Sequence, residues 1–260
     1  MFKWYRRATV CFAYLSDLES TEHDPTSIEA WQQLEANLPG CRWFSRGWTL
    51  QELIAPWHLD FYDHSWMRRG TKSSAAIRRL LAQITRIDDN TLSNPDNLSS
   101  IAVGRRMSWA AHRQTTRTED IAYCLLGIFN VNLPMIYGEG MKAFLRLQEA
   151  VALATADLSL FAWVDSKTPM PQPVRGLFAR DPSEFWQCHQ LENINMNPND
   201  YDSRSFTMVN RSIEFRTNVG VNAKEGDYHL CLHCRESRGN GVAVIRLLKT
   251  SGGFVRHAMR

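Results

Sequence analysis

The stretch Trp43–Trp57, which reads WFSRGWTLQELIAPW, holds the residues of this chain best suited to chemistry. It places one carboxylate, Glu52, among three tryptophans and a phenylalanine. Carboxylates in partly apolar surroundings are typical of functional sites, because burial shifts their proton affinity. Trp48 lies four positions before Glu52, so on a helix the two side chains share a face. Glu52 is therefore a candidate catalytic group and Trp48 a candidate aromatic wall for a substrate.

A second interpretation of Glu52 requires no chemistry. Thr49 and Glu52 have the spacing of a capping box, in which the carboxylate bonds back to the start of its own helix. A helix that begins at Thr49 and stops before Pro56 is short, whereas a helix capped by Ser45 would leave Glu52 free to face a cleft. Both interpretations stay open from the sequence. We expect the tryptophans of the stretch to belong to the core, and they are Trp43, Trp48 and Trp57.

A glycine motif offers a different candidate site. Gly138–Ala143, GEGMKA, matches the G-x-G-x-x-A pattern of dinucleotide-binding folds, with Asp165 as the acid that could meet a ribose. Pro134 interrupts the strand expected before the motif, and Glu139 would place negative charge beside a pyrophosphate. The pattern favours an ordinary turn and helix start over a nucleotide site.

A charged cluster lies at the start of a predicted helix. Its members are Arg113, Arg117, Glu119 and Asp120. The cluster could bind an anion or a protein partner. It could also be a salt-bridged junction, because the helix dipole favours acids at a helix start. We favour the structural interpretation.

The C-terminal third contains one C-x-x-C pair, Cys231 and Cys234, with His229 nearby. A structural zinc site needs four ligands, and no second pair lies at finger spacing. Strand alternation places His229, Cys231 and His233 on one face, so we predict a half-buried strand and no metal site. The sequence also lacks G-x-S-x-G, H-E-x-x-H and Walker patterns, which lowers the hydrolase, metalloprotease and NTPase interpretations.

The composition indicates a folded protein. Of its 260 residues, 44% are hydrophobic and 22% charged, which excludes a disordered chain. The net charge of +3 is spread along the sequence, so nucleic acid is not an expected partner. No apolar run approaches the roughly 20 residues that span a bilayer. The six scattered cysteines and the absence of a secretory signal favour reduced thiols and a cytoplasmic location.

The elements that must position Glu52 alternate in type along the first part of the chain. The patterns predict the last turns of a helix over residues 1–7, strands over 9–15 and 59–63, and helices over 27–34 and 73–84. Leu50, Leu53 and Ile54 share one face of the Glu52 helix, which Pro56 ends. This order of strands and helices predicts a parallel sheet.

The remainder of the chain divides into helical and strand-like parts. Residues 90–97 read as a loop, and helices are predicted over 100–112, 113–129 and 141–155, with Thr116 and Glu119 as a capping box for the second. Beyond Asp157 the patterns predict a strand over 159–164, a proline-rich segment over 168–173, and several short strands with a hairpin turn at Gly239–Gly241.

Two long motifs carry a family resemblance. Trp43–Pro56 closely resembles a block of the fungal heterokaryon-incompatibility (HET) domain. Arg106–Glu149 resembles the segment that follows that block in HET proteins of the vegetative-incompatibility type. Met1–Asp17 resembles the family's lead-in strand, and Gly176–Phe185 resembles its downstream region. The family's opening blocks, Y-A-x-L-S-H-x-W and W-I-D-x-x-C-I, do not occur here, so the chain resembles an N-terminally truncated member.

The resemblance implies a role in fungal non-self recognition that ends in programmed cell death, a form of innate immunity. It also implies a fold similar to the TIR domain, whose sheet is flavodoxin-like. In many TIR domains a glutamate in a W-x-x-x-E-L helix supports NAD cleavage, and Trp48–Leu53 matches that pattern. By this resemblance Glu52 would stabilise an oxocarbenium-like ribose and Trp48 would stack on the substrate.

We therefore expect an α/β protein in three parts. A partial HET (TIR-like) domain with a parallel sheet over residues 1–90 is followed by a helical segment over 91–157 and a β-rich C-terminal module over 158–260. The expected function is heterokaryon incompatibility and cell-death signalling through protein partners, with homo-oligomers possible and no cofactor. The alternatives are an NAD glycohydrolase that uses Glu52, with NAD as substrate, and an inactive fragment.

Overall fold

The computed structural model describes residues 1–21, 23–24, 27–165, 174–194, 206–209, 212–217, 219–222, 226–237, 239 and 241–257. The α-helices are α1 (Phe2–Arg7), α2 (Ile28–Asn37), α3 (Thr49–Ile54), α4 (Ala75–Thr85), α5 (Asp89–Ser93), α6 (Val103–Ser108), α7 (Asp120–Tyr123), α8 (Leu126–Phe129) and α9 (Lys142–Ala154). The strands are β1 (Cys11–Tyr14), β2 (Leu59–Tyr62), β3 (Arg68–Thr71), β4 (Val174–Arg175), β5 (Leu191–Asn193), β6 (Phe206–Val209), β7 (Ser212–Phe215), β8 (Val219–Asn222), β9 (Asp227–Glu236), β10 (Val242–Thr250) and β11 (Gly253–His257).

These elements form two compact units. The first comprises Met1–Ser99 and His112–Asn130, and the second comprises Ser100–Ala111 and Val131–Arg260. The protein is a mixed α/β chain: its first sheet contains a parallel pair of strands, and its C-terminal sheets are antiparallel. The division predicted from the sequence, at residues 90 and 157, stays a prediction.

The first unit is built on a three-stranded sheet in the order β1-β2-β3. β1 and β2 are parallel, with Cys11 opposite Leu59, and β3 joins β2 in antiparallel orientation. Parallel strands need a crossover connection, and here it carries α2 and α3. The inner face of the sheet buries Ala13, Leu59 and Phe61. The parallel pair predicted from strand–helix alternation is confirmed.

The second unit contains the larger sheet, in the order β4-β11-β10-β9-β5, with β8 also paired to β9. Its core includes a fully buried tryptophan, Trp163, whose ring contacts two guanidinium groups. Those of Arg256 and Arg175 lie 3.5 and 4.4 Å from the ring centroid. Arg175 is also paired with Glu184 and Asp165, so the stacked cations are balanced by two buried carboxylates. The C-terminal part is β-rich, as predicted.

Four local predictions are wrong. Residues 90–97 are not a loop, because Asp88 accepts a hydrogen bond from the Thr91 amide and starts α5. Residues 159–164 do not form a strand, because Asp157 caps Ser159 and starts a 3₁₀ turn over Leu158–Phe161.

The third concerns the helix predicted over residues 113–129, which is split into α7 and α8. The Gln51 amide donates to the Cys124 carbonyl at 2.6 Å, and that carbonyl would otherwise accept the next helical bond from Ile128. Ile128 bonds to Leu125 instead. The proposed Thr116–Glu119 capping box is wrong as well, since Glu119, and not Thr116, occupies the N-cap position of α7.

Two predicted features fall outside the described residues. The proline-rich segment over 168–173 lies there entirely, and so does the central residue of the turn at Gly239–Gly241. Within the described residues, no helix is both long enough and apolar enough to cross a lipid bilayer.

Candidate functional site

Helix α3 presents Glu52, and its start is fixed by Thr49. The Thr49 hydroxyl lies 2.5 Å from the Trp43 carbonyl oxygen and 2.8 Å from that of Arg46. Arg113 donates to the same hydroxyl and to the Arg46 carbonyl, at 3.0 and 2.8 Å. These bonds fold the chain into a tight turn before the helix, and Leu50, Leu53 and Ile54 anchor the helix in the core.

Glu52 does not form the capping box that its spacing allows. The residue before the helix, Trp48, makes no side-chain cap bond in this described part of the chain. The Glu52 carboxylate accepts a hydrogen bond instead from the Tyr5 hydroxyl, with 3.2 Å between Oη and Oε1. Glu52 is half-buried. A carboxylate oriented by a neighbouring hydroxyl and still open to solvent can bind hydroxyl groups or stabilise a developing cation.

Tyr5 responds electrostatically to its position beside Glu52. Burial, followed by the charge of Glu52 and their hydrogen bond, raises the pKa of the Tyr5 hydroxyl to about 12. Tyr5 therefore stays neutral and donates a hydrogen bond at any physiological pH. It cannot serve as a general base there, so its role is to hold the carboxylate.

Cys11 at the start of β1 belongs to the same neighbourhood. Burial, and secondarily the charge of Glu52, raise the pKa of the Cys11 thiol. A thiol with a raised pKa is mostly protonated at neutral pH and a poor nucleophile. Glu52 is therefore the better candidate for a working group than Cys11.

A buried lysine supports the other end of α3. The Lys72 ammonium donates to the carbonyl oxygens of Leu53, Ile54 and Pro56, at 2.9, 3.2 and 2.5 Å. These carbonyls lack partners within the helix, so Lys72 acts as a C-terminal cap. Burial, with smaller contributions from the charges of Arg6 and Arg78, lowers the pKa of Lys72 to about 7.

Arg6 adds a cation to this side of the unit. Its guanidinium lies over the Trp57 ring, 3.9 Å from the centroid, and pairs with Asp96 at 2.5 Å. One of its nitrogens, Nη1, is buried and has no hydrogen-bond partner among the described residues. Arg6 and Tyr5 are neighbours on α1, which packs against α3.

The predicted tryptophan core is only partly correct. Trp43 is buried and packs edge-on against Phe44 and Phe61. Trp48 is half-buried. Trp57 is 43% exposed, and its ring packs against the Arg6 guanidinium. The structure places Trp48 at the N-cap of α3, while the hydrogen-bond partner of Glu52 is Tyr5; the substrate-binding role of Trp48 stays a prediction.

The other candidate sites have structural roles. Asp165 pairs with Arg175 at 2.8 Å and is buried, and the segment before it is a 3₁₀ turn, so the Rossmann interpretation fails. Glu139 of the glycine motif pairs with Arg146. Arg113 is buried against the turn before α3, where burial lowers its pKa to about 10. Cys231 and Cys234 alternate between half-buried and buried positions on β9, as predicted.

Sequence reasoning missed the two groups that fix Glu52 and its helix. Tyr5 lies 47 positions before Glu52 and Lys72 lies 18 or 19 positions after the carbonyls of Ile54 and Leu53. One signal was available: Phe2 and Tyr5 are spaced three apart in a short helix and therefore share a face that could pack against another helix. No local pattern marks Lys72, because its partners are backbone carbonyls.

Comparison with known proteins gives one curated relative. The vegetative incompatibility protein HET-E-1 of Podospora anserina is 43% identical over 152 residues. The match covers 58% of this chain and 11% of the relative, so the chain spans only a small part of that protein's length. No protein-family model matches the chain. No solved structure matches it either.

Proposed function

We propose that this chain acts in fungal heterokaryon incompatibility, as part of a HET-type protein that signals cell death through protein contacts. The observation that carries the proposal is the 43% identity to a protein named for vegetative incompatibility. The relative is much longer than the matched region, so its function is carried here to this chain as a proposal only. A cytoplasmic location belongs to the same proposal.

The proposed fold for the first unit is TIR-like. A parallel β1–β2 pair with a helical crossover supports it, because this is the repeating element of flavodoxin-like sheets. Helix α4 follows the sheet and buries Ile77, Leu80 and Leu81. This packing of a helix beside a partly parallel sheet is the arrangement that such a fold requires.

Expression in a filamentous fungus tests the signalling proposal. The chain is placed under an inducible promoter, and the fraction of hyphal compartments that take up a vital dye is measured after induction. We expect compartment death, and we expect it to persist in Glu52→Gln, because contacts with partners need no catalytic carboxylate. Normal viability at high levels of folded protein would contradict the proposal and would support the inactive-fragment alternative.

NAD glycohydrolysis is the second candidate function, and the half-exposed Glu52 held by Tyr5 favours it. In this reaction the bond between ribose C1′ and nicotinamide breaks, and the electron pair leaves with nicotinamide. Glu52 would stabilise the oxocarbenium-like ribose that results. Water then bonds to C1′ and releases a proton, giving ADP-ribose. Trp48 would stack on the substrate.

NAD loss in vitro separates the two candidates. The purified chain is incubated with NAD, and nicotinamide release is measured for wild type, Glu52→Gln and Glu35→Gln. Glu35 is an exposed carboxylate on α2 and serves as the matched control. The enzymatic proposal expects release that falls at least about 100-fold in Glu52→Gln alone. Equal rates in all three proteins remove the catalytic role of Glu52.

A further inference from the structure

Strand β9 brings a thiol and an imidazole together. The Sγ atom of Cys231 lies 3.8 Å from Nδ1 of His233, a separation at which a thiol bonds to a ring nitrogen. The backbone N–H of His233 also donates to the same sulfur, at 3.4 Å. Cys231 is partly exposed, so its thiol is open to a reagent from solvent. The two residues are hereafter the thiol–imidazole pair.

A β-bulge in β9 holds the pair. Cys231 stands opposite Val244 of β10 and Arg235 opposite Val242, so three residues of β9 face one residue of β10. Such a bulge bends its strand and redirects the side chains at the bend. His233 lies within the bulge with a φ of 51°, in the left-handed region that residues other than glycine seldom adopt. A backbone held in that region is typical of functional sites.

The thiol–imidazole pair has the two groups that a thiol nucleophile requires. The reactive form of cysteine is the thiolate, and a neighbouring base produces it by accepting the thiol proton. When the imidazole proton is on Nε2, Nδ1 of His233 can accept the proton of Cys231. The backbone N–H of His233 then donates to the charged sulfur and stabilises it.

The surroundings of the sulfur favour a disulfide as the reaction partner. Attack on a carbonyl carbon needs hydrogen-bond donors for the oxygen that becomes charged. The backbone N–H of His233 is directed at the sulfur of Cys231 instead. Thiol–disulfide exchange keeps the developing charge on sulfur, so it needs no donor for oxygen. Because Cys231 is half-buried within a strand, a small-molecule disulfide fits better than one held in a folded protein.

The other cysteines lack this arrangement. Cys11 is partly exposed, but among the described residues no imidazole nitrogen contacts its sulfur. The remaining four thiols are buried, and they are Cys41, Cys124, Cys188 and Cys234. Exchange with a disulfide in solution should therefore select Cys231.

We propose that Cys231 is a modification site, at which the thiol forms a mixed disulfide with a small-molecule disulfide such as oxidised glutathione, and that His233 is its base. The sulfur of Cys231 gives its proton to His233 and bonds to one sulfur of the disulfide. The S–S bond breaks, and its electron pair leaves with the second sulfur, which takes the proton back from His233. The products are the mixed disulfide and one free thiol, so the exchange needs no further reactant.

The rate of exchange tests the proposal in the full chain. Cys11→Ser leaves Cys231 as the one half-exposed thiol, since the other four are buried. Oxidised glutathione is added at pH 7, and the mixed disulfide at Cys231 is followed by mass spectrometry of the peptides. We expect the native chain to react at least about 10-fold faster than the same chain unfolded in urea, where no base is held beside Cys231.

Substitution of His233 tests the base. His233→Asn and His233→Gly remove the imidazole, and both new residue types tolerate a positive φ, so both variants should keep the bulge. We expect each variant to react at least about 10-fold more slowly than the Cys11→Ser chain that carries it. His58→Asn is the control, because His58 is an exposed histidine of the first unit; it should leave the rate unchanged. Urea unfolding confirms that each variant is folded.

Three results would overturn the proposal. A native rate no higher than the unfolded rate would do so without any substitution of His233. An unchanged rate in His233→Asn or His233→Gly would show that the imidazole is not the base. An equal loss in His58→Asn would show that the effect is not local to the pair. The proposal rests on β9 alone, so its failure would leave the proposed signalling function unaffected.

Discussion

The Tyr5 hydroxyl donates a hydrogen bond to Glu52 Oε1 across 47 positions of sequence and joins α1 to α3. This bond turns the Glu52 carboxylate toward α1 and away from the start of its own helix. The side chain that looked like a helix cap is thus held by tertiary structure.

The first prediction concerns the ionisation of Tyr5. Its pKa of about 12 depends partly on the negative charge of Glu52, so Glu52→Gln should lower it toward the ordinary value of 10.0. Because burial also contributes, the shift should be partial. Ultraviolet titration of tyrosinate, with Tyr5→Phe to identify the signal, measures it. An unchanged titration in Glu52→Gln would show that the two groups are not in contact.

Lys72 should make stability depend on pH. Its pKa is about 7 in the folded chain and 10.5 ordinarily, so between these values the unfolded chain binds more protons. Stability therefore rises with pH across that window. Lys72→Met should abolish this rise and, by leaving helix carbonyls unpaired, cost about 1–3 kcal/mol at pH 9. Urea unfolding at several pH values tests both effects, with the exposed Lys3→Met as control.

A glycine on α6 should not tolerate a methyl group. A Cβ at Gly104 would lie 2.6 Å from the Ser159 carbonyl oxygen, which is backbone and cannot move aside easily. We expect Gly104→Ala to destabilise the chain by about 1–3 kcal/mol. At Gly176 a Cβ would meet nothing within 4 Å, so Gly176→Ala should change stability by less than about 0.5 kcal/mol. Thermal unfolding of the two variants distinguishes them, and similar melting temperatures would refute the clash.

The buried ion pair of the second unit should contribute more to the stability of the fold than an exposed ion pair does. Arg175 lies 2.9 Å from Glu184 and 2.8 Å from Asp165, and all three side chains are buried. Arg175→Met would remove the cation that bonds to both buried carboxylates, which should cost about 3–5 kcal/mol. The exposed Arg68–Asp60 pair has similar geometry, yet Arg68→Met should cost about 1 kcal/mol or less. Equal losses in urea unfolding would contradict this reasoning.

The thiols should divide into two classes. Cys11 and Cys231 are partly exposed, whereas Cys41, Cys124, Cys188 and Cys234 are buried and free. Burial also raises the pKa of all four buried thiols, to about 11 for Cys41 and about 12 for the others. A thiol reagent at neutral pH should therefore modify Cys231 and, more slowly because its pKa is raised, Cys11 in the native chain, and all six cysteines after denaturation. Rapid modification of four or more cysteines in the native chain would show that the reagent reaches the thiols described here as buried.

Apolar patterns among neighbouring residues were sufficient to predict several of the helices and strands. β1, β2, α2, α4 and α9 follow period-two or period-3.6 apolar patterns and are found close to their predicted positions. The helix over 113–129 was not predicted correctly, because the carbonyl of Cys124 is taken by Gln51, 73 positions away. A prediction from neighbouring residues cannot include this hydrogen bond, because the two residues are far apart in the sequence.

The residues of the candidate site also divide into those that a local pattern reveals and those that it does not. Glu52 could be found because a lone carboxylate among tryptophans is visible within one short stretch. Tyr5 and Lys72 could not, since each acts through a partner brought close only by folding. The packing of Trp57 against Arg6 was also unpredictable, because Arg6 lies on α1, far away in the sequence.

The chain passes between the two compact units three times. Ser100–Ala111 belongs to the second unit, His112–Asn130 returns to the first, and the chain enters the second unit again at Val131. A cut after residue 99 would deprive the first unit of Arg113, which ties down the turn before α3. A fragment starting at residue 131 would lack α6, whose Gly104 amide bonds to Ser159. A single breakpoint anywhere from residue 99 to residue 131 would therefore remove residues from at least one of the two units, so both units must be inherited, transplanted or engineered together.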